Sequence, residues 1–127
     1  MRRALAAVMA LTVIFPIVAA IQSVVDLHGS AVEELANSRG KVLVLVFVRT
    51  NCPVSNRYAP LIQQMSRQHG KDVSFRLVFP DKSESPEKIR NFLRDYKYEL
   101  PAIRDVEHVL VKATLVKVTP EAAVFDA

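Results

Sequence analysis

Seven consecutive apolar residues, Val42–Val48, constrain this chain more than any other feature. Gly40-Lys41 precede the run and Arg49-Thr50 follow it. A short run of Val, Leu and Phe closed by polar residues reads as a strand buried on both faces. Such a strand needs cover above and below, so it belongs inside a sheet with helices on both sides. The next segment supplies a helix. From Pro53 to His69, Val54, Tyr58, Leu61, Ile62 and Met65 recur at three- and four-residue spacing and give it one apolar face. Gly70 is a natural stop. Val73–Phe79 is a second strand, interrupted by Ser74 and Arg76. Strand, helix and strand form a βαβ unit, in which the two strands run parallel through a right-handed crossover.

The remaining elements extend an α/β order. Val24–Ser30 reads as a short strand entering a turn at Gly29, and Ala31–Ser38 as a second short strand or a helical turn ending at Gly40. Ser85-Pro86 starts a helix, with serine as N-cap and proline in the first turn. Ile89, Phe92, Leu93 and Tyr96 form its buried face. Leu100–Ile103 is a short extended piece around Pro101, and Asp105 is placed to cap a helix from Val106 to Thr114. Glu121–Asp126 is a last strand, with nothing after Ala127 to cover its edge.

The 127 residues suffice for one domain, and half of them are apolar. Part of that apolar content lies in residues 1–20. Arg2 and Arg3 precede an uncharged stretch, Ala4–Ile21, with small residues at Ala19-Ala20. This is the layout of a secretory signal, with cleavage expected after Ala20 and residues 21–127 as the domain. An uncleaved anchor is the alternative: the stretch is 18 residues long, the lower edge of a membrane span, and contains Pro16. No cysteine follows it, which excludes a lipid-modified cysteine there. Either reading places the domain outside the cytoplasm. Without Arg2 and Arg3, 15 basic side chains face 13 acidic ones, and the signs are interspersed. No basic stripe with interleaved aromatics exists for nucleic acid. His28, His69 and His108 are too dispersed for a metal site and read as surface residues. Asp81 and Glu84 read as solvated loop charges. There is no glycine-rich phosphate loop, and no cofactor or metal is expected.

The chemistry rests on one cysteine, Cys52. It follows the buried strand and precedes Pro53, which makes it the N-cap of the helix. The unpaired N–H groups of Val54 or Ser55 and the positive end of the helix dipole there favour thiolate over thiol. Arg49 and Arg57 are near in sequence and add to that field if they point inward. A single cysteine cannot form an internal disulfide, so Cys52 is either a thiol kept for reaction or a small buried hydrophobe. The strand Val42–Val48 is wholly apolar and carries no acid.

Two further stretches favour reaction. Cys52-Pro53-Val54-Ser55-Asn56-Arg57-Tyr58-Ala59-Pro60 places Ala-Pro at the eighth position after the cysteine, and Val118-Thr119-Pro120 precedes the strand Ala122-Ala123-Val124-Phe125. From Val24 to Asp126 the chain resembles redoxin-type domains of the thioredoxin superfamily, relatives of the thioredoxin-like and alkyl hydroperoxide reductase/thiol-specific antioxidant families. The resemblance implies a thioredoxin-like fold with a central mixed sheet flanked by helices, lacking here the final strand and helix. It implies Cys52 as nucleophile, Pro120 as the cis-proline beside it, and Thr119 as the residue that docks substrate. Ser55 stands where dithiol relatives carry a second cysteine; it cannot resolve a mixed disulfide but can hydrogen-bond the thiolate. Thr50 lies two residues before Cys52, whereas peroxiredoxins place Thr or Ser three before. The implied activity is thiol–disulfide exchange by one cysteine, with external thiols or disulfides as partners. The alternatives are one-cysteine peroxide reduction and a redox-inactive binding scaffold.

Overall fold

The structure, a computed structural model, describes residues 24–32, 35 and 40–126. The segment read as a signal, and most of residues 31–38, lie outside the described residues. Five strands form one mixed sheet: β1 (Val25–Asp26), β2 (Val42–Phe47), β3 (Val73–Phe79), β4 (Ala102–Arg104) and β5 (Glu121–Phe125), in the order β1-β4-β3-β2-β5. The helices are α1 (Pro53–His69), α2 (Pro86–Asp95) and α3 (Val109–Thr114). Among the described residues no helix is long and apolar enough to cross a membrane.

The run Val42–Val48 is a strand, as its composition dictates. β2 pairs parallel with β3 on one side, Val42 opposite Val73 through Phe47 opposite Val78. On the other side it pairs antiparallel with β5, Leu43 opposite Phe125 through Phe47 opposite Glu121. The alternation of the pleat then divides the core in two. Val46, Phe75, Leu77 and Phe79 pack with Ala59 and Ile62 of α1 and Ile89 and Phe92 of α2. Leu43, Leu45, Phe47, Val78 and Ile103 face the other way, against Val109, Leu110 and Val111 of α3. The crossovers β2-α1-β3 and β3-α2-β4 step in the same direction across the sheet. Their common right hand puts both helices on one face, and α3 covers the opposite face as the chain returns to β5.

Several expectations are corrected. Of the apolar stripe expected to bury α1, only Ile62 is in the core. Val54, Tyr58, Leu61 and Met65 are 51, 46, 46 and 43 % exposed, and the buried face is Ser55, Ala59 and Ile62. Helical period alone cannot say which of two adjacent faces meets the sheet; the small Ser55 and Ala59 admit the close approach. Gly70 ends α1 in right-handed geometry rather than a left-handed cap; a Cβ there would stand 2.7 Å from the carbonyl oxygen of Ser66, so only glycine fits. α3 begins at Val109, three residues later than expected, with His108 in left-handed geometry before it. Asp105 still caps it: its fully buried carboxylate accepts from the amides of Val109 at 2.8 Å and Val111 at 2.9 Å.

Removing that cap orphans two amides at once. Asp105→Ala is expected to lower stability by about 1–3 kcal/mol, read as a lower urea midpoint at unchanged slope.

Candidate active site

Parallel pairing brings the loops that follow β2, β3 and β4 to one end of the sheet. Such ends, at the carboxyl side of parallel strands, are where α/β folds build sites. The antiparallel pairing of β5 adds a fourth segment: with Glu121 opposite Phe47, the residues before Glu121 lie beside the end of β2. Four segments distant in sequence therefore meet at this end, and Cys52 lies in the first of them.

Cys52 is the N-cap of α1, in extended geometry with φ −90° and ψ 111°, and Pro53 begins the helix. Its carbonyl accepts the first helical bond from the Asn56 amide at 3.0 Å. Its sulfur accepts from the Ser55 amide at 3.5 Å, and the thiol donates to the Thr119 carbonyl oxygen at 3.3 Å. The Thr119–Pro120 peptide bond is cis. Cys52, Ser55, Thr119 and Pro120, picked from sequence, thus meet at one place.

The Cys52 thiol is held at about 7, below its ordinary value. The Ser55 hydroxyl contributes most and the Ser55 amide next; burial opposes them, and the Thr119 hydroxyl and the Val54 amide add to the lowering. Ser55 is fully buried, and its hydroxyl has no hydrogen-bond partner among the described residues. A thiolate is a stronger acceptor than a thiol, and the rotatable Ser55 hydroxyl can turn to it. Arg49 and Arg57 do not act on the sulfur. Arg49 is paired with Asp81 across the loops, and Arg57 is exposed.

Thr50 does not face the sulfur. Its amide and its hydroxyl both donate to Glu84 Oε1, at 2.7 and 2.6 Å. Glu84, expected to be a solvated charge, is 1 % exposed. The loop after β3 turns inward there, and its sequence, Asp81-Lys82-Ser83-Glu84, reads as polar loop without a burial signal. Asp81 also departs from the expectation, pairing with Arg49 and accepting from the Ser83 amide and hydroxyl at 2.9 and 2.7 Å. On the far side Glu121 fixes the loop before the cis bond, accepting from the amides of Lys117 at 2.7 Å and Val118 at 3.2 Å. His28, His69 and His108 are exposed and separate, and among the described residues no three His, Cys, Asp or Glu side chains are placed to hold a metal ion.

Beside the sulfur a groove of about 520 Å³ runs between α1 and β5. Val54, Tyr58, Leu61 and Met65 form one wall, Val118, Pro120 and Ala122 the other. The stripe expected to be core is therefore the apolar surface next to the thiol.

A family model described as thioredoxin-like matches residues 40–127, and the chain belongs to that family. Among curated proteins there is no match. Solved structures share the fold. A hypothetical protein from Sinorhizobium meliloti 1021 superposes with a TM-score of 0.71 at 17% identity, over 81% of this chain and 60% of that one. StoA from Bacillus subtilis gives 0.61 at 21% identity, over 68% of this chain and 66% of that one. A secreted Mycobacterium tuberculosis disulfide oxidoreductase homologous to DsbE of E. coli gives 0.68 at 20% identity, over 85% and 78%. The chain spans less than two thirds of the first two. At these identities the likeness is one of fold, and it agrees with the mixed sheet flanked by helices read from the sequence.

Two outcomes follow from the site. Ser55→Ala removes the largest contribution to the lowered thiol, so the midpoint of Cys52 alkylation against pH is expected to move from about 7 toward the free-thiol value of ~8.5. Iodoacetamide rates across the pH range measure it directly, because Cys52 is the chain's one cysteine. Asp81 is held below the usual carboxylate range, by the Ser83 hydroxyl first, then the Ser83 amide, with Arg49 adding. A depressed folded value stabilises above the unfolded pKa of ~3.9 and loses that stabilisation as pH falls through the folded value. The urea midpoint of the parent should therefore fall more steeply below that pH than that of Asp81→Asn.

Proposed function

We propose that this protein is an extracytoplasmic thiol–disulfide oxidoreductase that works with a single nucleophile, Cys52, in a C-x-x-S arrangement. The observation that carries the reading is the seat of the sulfur: it caps the N-terminus of α1, accepts from the Ser55 amide and lies 3.3 Å from the Thr119 carbonyl oxygen. The helix terminus and the Ser55 hydroxyl supply positive potential where a thiolate's charge would sit. The layout of residues 1–20 supports export, where disulfides persist.

The thiolate attacks one sulfur of a partner disulfide. A Cys52–partner disulfide forms and the partner's second sulfur leaves as a thiolate. Ser55 has no sulfur to resolve this species, so an external thiolate does so. It attacks the partner's sulfur, forms a disulfide with it and releases the Cys52 thiolate. Oxidation and reduction thus stay between the two external sulfur compounds. The thioredoxin-like family membership makes thiols and disulfides the natural partner class. One-cysteine peroxide reduction fits less well, since the Thr50 hydroxyl is engaged by Glu84 rather than directed at the sulfur. A redox-inactive scaffold is the second reading, favoured by the apolar groove beside Cys52.

Disulfide exchange between a peptide disulfide and an external thiol tests it. The protein is expected to accelerate exchange, and Cys52→Ser to return the rate to background. A parent protein no faster than background would overturn the reading, and retained peptide binding in that case would favour the scaffold.

A further inference from the structure

Two acids are fully buried among the described residues, Glu84 and Asp105. Asp105 caps α3. Glu84 has no such local task. Its carboxylate makes two hydrogen bonds, from the amide and the hydroxyl of Thr50, both to Oε1, and Oε2 has no partner among the described residues. Burying a carboxylate is costly unless it is well bonded. Here the bonds go to a single residue, and that residue stands two positions before the nucleophile.

Thr50 is held at its remaining polar group as well, since its carbonyl accepts from the side-chain amide of Asn56 at 3.5 Å. The Cys52 amide closes a turn on the Arg49 carbonyl at 3.2 Å, and Arg49 itself is paired with Asp81. The chain from Arg49 to Cys52 is thereby clamped to the loop after β3. We propose that Glu84 is the positioning residue of the nucleophile, its carboxylate fixing Thr50 and through it the seat of Cys52 at the start of α1. The inference rests on the reading of Cys52 as the reacting group. Glu84 reaches the sulfur through Thr50 and Asn51, as a support behind the loop.

Positioning and simple charge predict opposite signs. A carboxylate acting on the thiolate only through its charge would raise the thiol, so its removal would lower the alkylation midpoint. A carboxylate that seats the loop does the reverse: without it the sulfur loses its fixed place against the Ser55 amide and hydroxyl. The experiment follows the pH profile of Cys52 alkylation in the full chain, with circular dichroism to establish folding. Glu84→Ala is expected to move the midpoint up from about 7 toward the free value of ~8.5. Glu84→Gln, whose carbonyl oxygen accepts the same two bonds, is expected to keep it near the parent value. Ile89→Val, a core change in α2 that leaves the Glu84–Thr50 hydrogen bonds in place, controls for general loosening and should leave it unmoved. If Glu84→Ala does not fold, Thr50→Val keeps the amide bond, removes the hydroxyl bond, and should move the midpoint the same way by less. A folded Glu84→Ala with an unchanged or lowered midpoint, or an unchanged midpoint in a folded Thr50→Val that replaces it, would overturn this inference alone. A parent midpoint at the free value would overturn the reading of Cys52 and this inference with it.

Discussion

The pairing of β2 with β3 is the constraint on which the rest depends. Six consecutive pairs, Val42 with Val73 to Phe47 with Val78, put the ends of the two strands side by side. Everything at the site leaves from that line. The loop after β2 carries Arg49, Thr50 and Cys52, and the loop after β3 carries Asp81 and Glu84. A parallel pair with a right-handed crossover leaves these loops adjacent and the connecting helix on one face. A slip of one residue would invert every side chain of β2 between the two cores. The register is therefore specified by the burial of Val46 on one side and Leu45 and Phe47 on the other.

On this frame Cys52 is held from three directions. The helix terminus meets the sulfur through the Ser55 amide and the segment before β5 through the Thr119 carbonyl, while the loop after β3 holds the chain before Cys52 through Thr50. The first is local, written in Cys52-Pro53-Val54-Ser55. The second requires β5 to lie antiparallel against β2, with Glu121 opposite Phe47. The third requires both parallel strands to end at the same level. A site assembled in this way draws on segments far apart in the chain, and Glu84, bonded to a residue 34 positions earlier, is the clearest case.

The two faces of α1 show how physical chemistry divides the legible from the illegible. The period of Val54, Tyr58, Leu61, Ile62 and Met65 announces a helix, and a helix is there. It does not say which side of that stripe meets the sheet. Ser55 and Ala59, small enough for close packing, take the buried place with Ile62, and the larger residues line the groove beside the thiol. Glu84 is the converse: a charged residue in a polar loop, read as solvated and found buried, because its partners are the amide and hydroxyl of a residue 34 positions earlier.

The sequence by itself determined the α/β order, the doubly buried central strand, the extent of α1 and the place of Cys52 at its start. These follow from composition over a few neighbouring residues, from helical period and from N-capping, all of which act locally along the chain. It also carried enough pattern around Cys52, Pro60 and Pro120 for the thioredoxin-like resemblance that the fold bears out. Only the tertiary structure decided which face of α1 is core, that Thr50 turns to Glu84 rather than to the sulfur, and that Glu84, in a polar loop, is buried. The reason is common to all three. Each depends on the register between strands far apart in sequence, and hydrogen bonds across such distances leave no periodic trace in the order of the residues that make them.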